Sequence, residues 1–141
     1  MGLLARWMSN RHRRKGYRFL GMDVLFLTTI GRTSGRQRET PLAWFADGDD
    51  AWLIVASAGG SANNPDWYLN LAAHPEKAWI ELADRRLPVV ARKLEGLRRE
   101  ECWQRIIAAQ PRYAKYQAKT DRELPVIRLT PGGPARAAGP S

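Results

Sequence analysis

The chain has 141 residues, 44% of them hydrophobic, which suits one domain with one core. Its single cysteine, Cys102, excludes an internal disulfide and a paired-thiol zinc or redox site, and His12 and His74 lack ligand spacing, so no metal is expected. Net charge is +9, nearly all of it in residues 1–38, where nine basic side chains face one acid, Asp23; that end offers a positive field to a nucleic acid, an anionic membrane or an acidic ligand.

In chain order, Leu3 to about Phe19 reads as an amphipathic helix with Leu3, Leu4, Trp7 and Met8 on one face, followed by the cluster Arg11 to Lys15. Such a segment can lie at an anionic lipid surface with Trp7 as anchor, or pack on the domain with its basic side in water. No stretch approaches the roughly 20 apolar residues that crossing a bilayer needs. A secretory signal pattern is also missing. The expected location is cytoplasmic, with a peripheral mode at the inner face of the cell membrane.

Val24 to Ile30 and Arg38 to Phe45 read as strands, Ala46 to Asp50 as a turn, and Ala51 to Ser57 as a strand apolar enough to be buried on both faces. The three are expected to form an antiparallel meander. A loop with Gly59 and Gly60 leads to a short helix from Asp66 to about Ala73, with Asn64 as N-cap and Pro65 in the first position. Lys77 to Leu82 and Leu87 to Leu94 read as strands, Pro88 being placed at a start or an edge. A helix follows over Leu97 to Gln110, its apolar side made by Leu97, Cys102, Ile106 and Ile107. A shorter helix covers Tyr113 to about Thr120, and a last strand Leu124 to Leu129. About six strands with a few short helices predict a small antiparallel barrel with helices at its ends, an α+β chain dominated by β. The divisions expected are a basic N-terminal segment over 1–22, the barrel over 23–131 and a flexible tail over 132–141.

The chemistry concentrates in three stretches. Gly31 to Gly35 is a glycine-bounded turn with Arg32, Arg36 and Arg38 in or beside it, and Thr33 and Ser34 as neutral donors. Guanidinium forks match phosphate and carboxylate oxygens in pairs, so the turn reads as an anion site or, more plainly, as a solvated basic tip. Around Gly59 to Asn70, glycines allow close backbone approach, a helix start offers free N–H groups, and Trp67 and Tyr68 point in different directions, so that one can pack in the core while the other lines a cleft or, more plainly, both are core aromatics. Tyr113 and Tyr116 share a helix face and can stack on a flat ligand or donate to it, or pack half-buried on the barrel. Neither a P-loop nor a Rossmann glycine pattern is present. Cys102 reads as a buried, inert thiol.

Taken together these stretches resemble the deazaflavin-dependent nitroreductase and quinone reductase family. The resemblance rests on Leu27-Thr-Thr-Ile-Gly-Arg-Thr-Ser-Gly35 running on to Arg38 and Thr40-Pro41-Leu42. It continues in Ala56-Ser-Ala-Gly-Gly60 with Asn64-Pro-Asp-Trp-Tyr-Leu-Asn-Leu71, and in Tyr113-Ala-Lys-Tyr-Gln117 with Thr120, Arg122 and Leu124-Pro-Val126. It implies a split antiparallel β-barrel of the FMN-binding type and non-covalent coenzyme F420, whose reduced form passes hydride to a quinone, nitro compound or similar flat acceptor. By position, coenzyme contacts fall on Arg32, Thr33, Ser34, Arg38, Glu39, Thr40, Pro41, Leu42 and Ala43, then on Val55, Ala56, Ser57 and Ala58. They continue on Asp66, Trp67, Tyr68, Leu69 and Asn70, and on Tyr113. Ser57, Tyr113 and Tyr116 are implied to face the acceptor. Many relatives carry lysine at the positions of Thr33 and Ala58, which implies a weaker hold on the coenzyme tail or a different preferred tail length, with Arg36 standing beside the first.

Two other readings of the residues compete. One keeps the barrel with flavin mononucleotide or haem in it, although no suitable histidine serves a haem. The other is a non-enzymatic basic module for nucleic acid or anionic membrane, carried by Arg11 to Lys15.

Overall fold

In the computed structural model, which describes residues 17–132, β-rich runs separated by glycine- and aspartate-bearing turns form one antiparallel sheet. Tyr17–Phe19 is β1 and Met22–Ile30 is β2, joined by Leu20 and Gly21 at φ 53° and 76°. Two consecutive positive φ values are what a two-residue hairpin turn of matching twist needs. Tyr17–Phe19, expected as the end of a helix, is therefore a strand. The hairpin is fixed by Arg18 Nη1 donating to Asp23 Oδ1 at 2.7 Å, in the register Arg18 opposite Asp23. The rest of that basic segment, residues 1–16, and residues 133–141 lie outside the described region.

Gln37–Ala43 is β3 and runs back along β2, with Leu25 opposite Leu42 and Thr29 opposite Arg38. One residue, Trp44, separates it from β4, Phe45–Ala46. Then come β5 (Trp52–Val55), a single tight turn over Ala58–Gly60, helix α1 (Asp66–Ala73), β6 (Ala78–Glu81) and β7 (Arg86–Lys93). Helices α2 (Gly96–Ala109) and α3 (Arg112–Ala118) precede β8 (Val126–Pro131). The strand order is β1-β2-β6-β7-β8-β5-β4, with β3 on the free side of β2. Since β3 and β4 lie at opposite ends of this order yet are nearly continuous in the chain, the sheet curls round and closes through Trp44.

The expected meander forms only in part: the strand expected over Arg38 to Phe45 breaks at Trp44, its first piece pairing with β2 and Phe45 standing opposite Leu53 of β5. β5 pairs with β4 and β8, Ile54 standing opposite Ile127, and not with β3. The chain leaves its first hairpin at Trp44, and the neighbour of β5 arrives from the far end of the sequence. Three other expectations shift. Pro65, not Asn64, is the N-cap of α1. The last strand extends to Pro131, so Thr130 and Pro131 belong to the sheet. Leu97 is 86% exposed, because the inward face of α2 is Arg99, Cys102, Trp103 and Ile106. Arg99 takes the place that Leu97 was expected to hold: its guanidinium lies 4.9 Å from the Trp103 ring and Nη2 donates to Leu124 O at 2.7 Å.

Two cores result. Inside the barrel, Leu25, Leu27, Ile54, Ile80, Val89, Ile127 and Leu129 pack with Trp52 and with Trp67 and Leu71 of α1. Outside it, Leu53, Val55 and Val126 meet Cys102, Trp103 and Ile106 of α2 and Tyr113 of α3. β5 is thus buried on both faces, the condition under which a strand sequence is continuously apolar. These burials leave β3 without a strand partner along its outer edge, and that edge lines the site.

Candidate active site

The turn between β2 and β3 is closed by Gly31 N–H donating to Arg36 O at 2.7 Å and Gly35 N–H donating to Gly31 O at 2.9 Å. Gly35 sits at φ 72°, a conformation side-chain-bearing residues disfavour. The three arginines of this turn do different work. Arg32 folds back onto α1: its main-chain N–H and its Nη1 both donate to Asn70 Oδ1, at 3.0 and 2.8 Å, and Nη2 lies 3.2 Å from Asp66 Oδ1. Asn70 is buried, so its carbonyl is a fixed peg for the turn. The side chains of Arg36 and Arg38 make no hydrogen bond or ion pair among the described residues. They are the free cations of the turn.

Beside them lies an open cavity of about 620 Å³, lined by Arg32, Thr33 and Ser34 of the turn, Gln37, Arg38, Glu39 and Thr40 of β3, and Asp66, Trp67 and Asn70 of α1. A second cavity, about 220 Å³, is lined by the next residues of the same strand. Pro41, Leu42 and Ala43 of β3, Val55, Ser57, Tyr113 and Tyr116 line it, with Phe19, Met22 and Val24 from the first hairpin. One strand therefore lines two cavities, one cationic and polar, the other smaller, more apolar and bearing three hydroxyls.

The tyrosine pair meets edge to face, ring centroids 5.4 Å apart at 82°, and Tyr113 makes a similar contact with Phe45 at 5.7 Å. Burial, and then the neighbouring Tyr116 phenol, push the Tyr113 pKa up to about 12, against the opposing charge of Arg112. Tyr113 is therefore a neutral hydrogen-bond donor throughout the physiological range. Ser57 begins a turn in which Ala58, Gly59 and Gly60 all have positive φ, of 46°, 64° and 88°. Gly60 is obligatory for a second reason. A Cβ there would stand 2.6 Å from the backbone oxygen of Tyr116, so α3 rests directly on this turn.

The remaining residues assigned by resemblance line neither cavity. Ala56 is fully buried in the barrel core, Ala58 is exposed, and Leu69 is on the outer side of α1. Tyr68 lines a separate small cavity with Leu71, Pro75 and Ile127. Trp67 fills both parts open to it, packing in the core while bordering the cleft. Phe19 and Met22 escaped the sequence reading because residues 1–22 were set apart as a segment; Leu20-Gly21 between two short β-prone runs was the available signal. Among the described residues no three His, Cys, Asp or Glu side chains come together as metal ligands. None of the helices there is long and apolar enough to cross a membrane.

The sequence model of the F420H(2)-dependent quinone reductase family matches residues 4–131. An F420H(2)-dependent quinone reductase of Mycobacterium tuberculosis is 37% identical over 121 residues, covering 83% of this chain and 80% of that protein. A solved F420-H2 dependent reductase, FDR-A, has TM-score 0.68 and 39% identity over 75% of this chain and 92% of its own. Another solved chain, a domain-swapped dimer, has TM-score 0.69 and 35% identity over 89% of this chain and 96% of its own. A Listeria innocua structure of the pyridoxamine 5'-phosphate oxidase type, 13% identical at TM-score 0.52 over 77% and 82% of the two chains, shares the fold alone. The curled sheet is thus the split barrel that the sequence led us to expect.

Proposed function

Since the chain belongs to the F420H(2)-dependent quinone reductase family, and is thereby an oxidoreductase that uses coenzyme F420, we propose that the coenzyme lies along β3 and that the acceptor is a quinone or a comparably flat, electron-poor compound. The observation that carries this is the pairing of two cavities on one strand, free cations at one end and Ser57, Tyr113 and Tyr116 at the other. The coenzyme has a matching polarity: a flat deazaflavin ring, then a phosphodiester and an oligoglutamate tail.

Arg38, with Arg36 beside it, would hold the anionic tail, and Thr33 and Ser34 would donate to it. Arg32 acts differently. It docks the turn against α1 and so fixes the direction in which the other two point. When bound, the reduced coenzyme supplies a hydride from its ring carbon. The chain's own part is orientation and exclusion of competing reactions. Pro41 to Ala43 and Val55 give the ring an apolar wall. Ser57, Tyr113 and Tyr116 face the acceptor, where a hydroxyl can stabilise the oxygen on which charge develops. With its pKa raised, Tyr113 donates a hydrogen bond without surrendering its proton at neutral pH, so solvent completes the protonation. Thr33, which lines the cationic cavity, bears on tail length, whereas Ala58 is exposed and lines neither cavity.

The competing basic-module reading rests on Arg11 to Lys15, which lie outside the described residues, as does most of the stretch 3–19 for which a membrane contact is one expectation. The deciding test is a tryptophan-fluorescence titration with oxidised F420 and with flavin mononucleotide, Trp67 standing at the cleft. Quenching at low F420 concentration, with weak response to the flavin, is expected. A preference for the flavin would discard the deazaflavin assignment, and no response to either would discard the cleft as a coenzyme site.

A further inference from the structure

Arg122 lines neither cavity, yet it holds the wall that carries Ser57. Four of its five N–H bonds go to one loop. Nε donates to Ser61 O at 2.9 Å, Nη1 to Ala56 O at 3.1 Å and to Asn64 Oδ1 at 2.8 Å, and Nη2 to Ser57 O at 2.9 Å. Every acceptor is neutral. Its sequence neighbour Glu123 lies toward Arg99 instead, at 3.7 Å. The usual partner of a guanidinium, a carboxylate, is missing from this cage, and three backbone carbonyls and the Asn64 side-chain amide of a single loop stand in for it.

That turn is one that needs holding. Ala58, Gly59 and Gly60 are consecutive residues at positive φ, and Ala58 has a side chain that disfavours it. Arg122 is itself tied to the other wall of the cavity. Gln117 of α3 donates from Nε2 to Arg122 O at 2.7 Å and accepts from Leu124 N–H at 3.0 Å. Gly60 also lies close to this helix, since a Cβ there would stand 2.6 Å from the backbone oxygen of Tyr116. One planar fork therefore couples the Ser57 turn to the helix bearing Tyr113 and Tyr116.

We propose that Arg122 is a positioning residue for the acceptor cavity: it sets the Ser57 hydroxyl opposite the tyrosine pair by clamping Ala56, Ser57, Ser61 and Asn64 at once. The functional half of this rests on the reading of that cavity given above. A lysine keeps the charge but offers its three donors from one nitrogen, and cannot span acceptors distributed along the loop.

The experiment compares Arg122→Lys and Arg122→Ala with the wild-type chain. In the coenzyme-free protein, hydrogen exchange over residues 57–61 should be faster in both variants while β2 and β6 keep their protection. In turnover with F420H2 and a soluble quinone, kcat should fall about 10- to 100-fold, as displaced reacting groups do. F420 affinity should stay within about twofold, because the arginine turn and β3 are untouched. Added guanidinium ion should recover part of kcat in Arg122→Ala but not in Ser57→Ala. Unchanged exchange at 57–61 overturns the clamp. Full kcat in the variants, or losses of kcat, coenzyme affinity and melting temperature in parallel, overturns the positioning role. If the alanine variant fails to fold, the lysine variant carries every readout. A wild-type chain that oxidises no F420H2 would refute the functional reading, while hydrogen exchange still decides the clamp.

Discussion

Three arginines within seven residues look alike in sequence and are unlike in structure. Arg32 is shared between Asn70 and Asp66, whereas Arg36 and Arg38 have no partner among the described residues. A free guanidinium can bind a tail without first giving up a partner; a committed one cannot. Arg38→Ala is therefore expected to weaken F420 binding by about 1–2 kcal/mol at low salt, with the difference shrinking as ionic strength rises, and to leave the melting temperature alone. Arg32→Ala should lower the melting temperature as well, since Asn70 Oδ1 loses a charged donor in a buried place. Isothermal titration at two salt concentrations and thermal unfolding separate the two. Equal behaviour of both variants would show that the distinction between docking and binding arginines is wrong.

Among the elements, the turn at Ala58–Gly60 has the least freedom. Gly59 and Gly60 both have positive φ, but a Cβ at Gly59 meets open space whereas one at Gly60 meets Tyr116 O at 2.6 Å. Gly59→Ala should cost about 1 kcal/mol, the backbone penalty alone. Gly60→Ala should cost about 3 kcal/mol, because α3 must move off the turn, and should reduce kcat by displacing both tyrosines. Denaturant unfolding checks the first pair of values. Similar costs at the two positions would mean that α3 yields freely and is not seated on the turn.

At the scale of the whole molecule, one acid joins three elements across the outer core. Asp47, 8% exposed in the turn after β4, accepts from Arg98 and Arg105 of α2 at 2.6 and 2.8 Å and from Arg128 of β8 at 2.7 Å. Burial raises its pKa, but the three guanidinium hydrogen bonds outweigh that and hold it below the ordinary 3.8. A lowered carboxylate adds stability that is present above pH 3.8 and disappears as pH falls through the folded value. Tyr113 works at the other extreme. With its pKa raised from 10.0 to about 12, its contribution is complete below pH 10 and is lost on the way to pH 12. Asp47→Asn should thus cost about 2 kcal/mol at neutral pH, moderated by the partial exposure of its partners, and the deficit should narrow in acid. Tyr113→Phe should flatten the alkaline limb. Chemical unfolding across pH measures both; a deficit in Asp47→Asn independent of pH would remove the carboxylate from this role.

From Val24 onward the sequence by itself located the long strands and the helices to within a few residues, because period-two and helical patterns and glycine or proline punctuation are local properties; the short strands β1 and β4 were not legible in it. It also carried the motifs from which the site is proposed, since the glycine-bounded arginine turn, the Ser57 stretch and the Tyr113–Tyr116 pair are contiguous in the chain. What only the tertiary structure decided is which strands are neighbours and which cation is free. The partner of β5 is β8, more than 70 residues away, and nothing local in either strand specifies it. Arg32 is separated from Asn70 by 38 residues, Arg122 from Ser57 by 65 and Asp47 from Arg128 by 81. A guanidinium's role depends on the acceptor that folding brings to it, and side-chain identity and spacing along the chain carry no record of that acceptor.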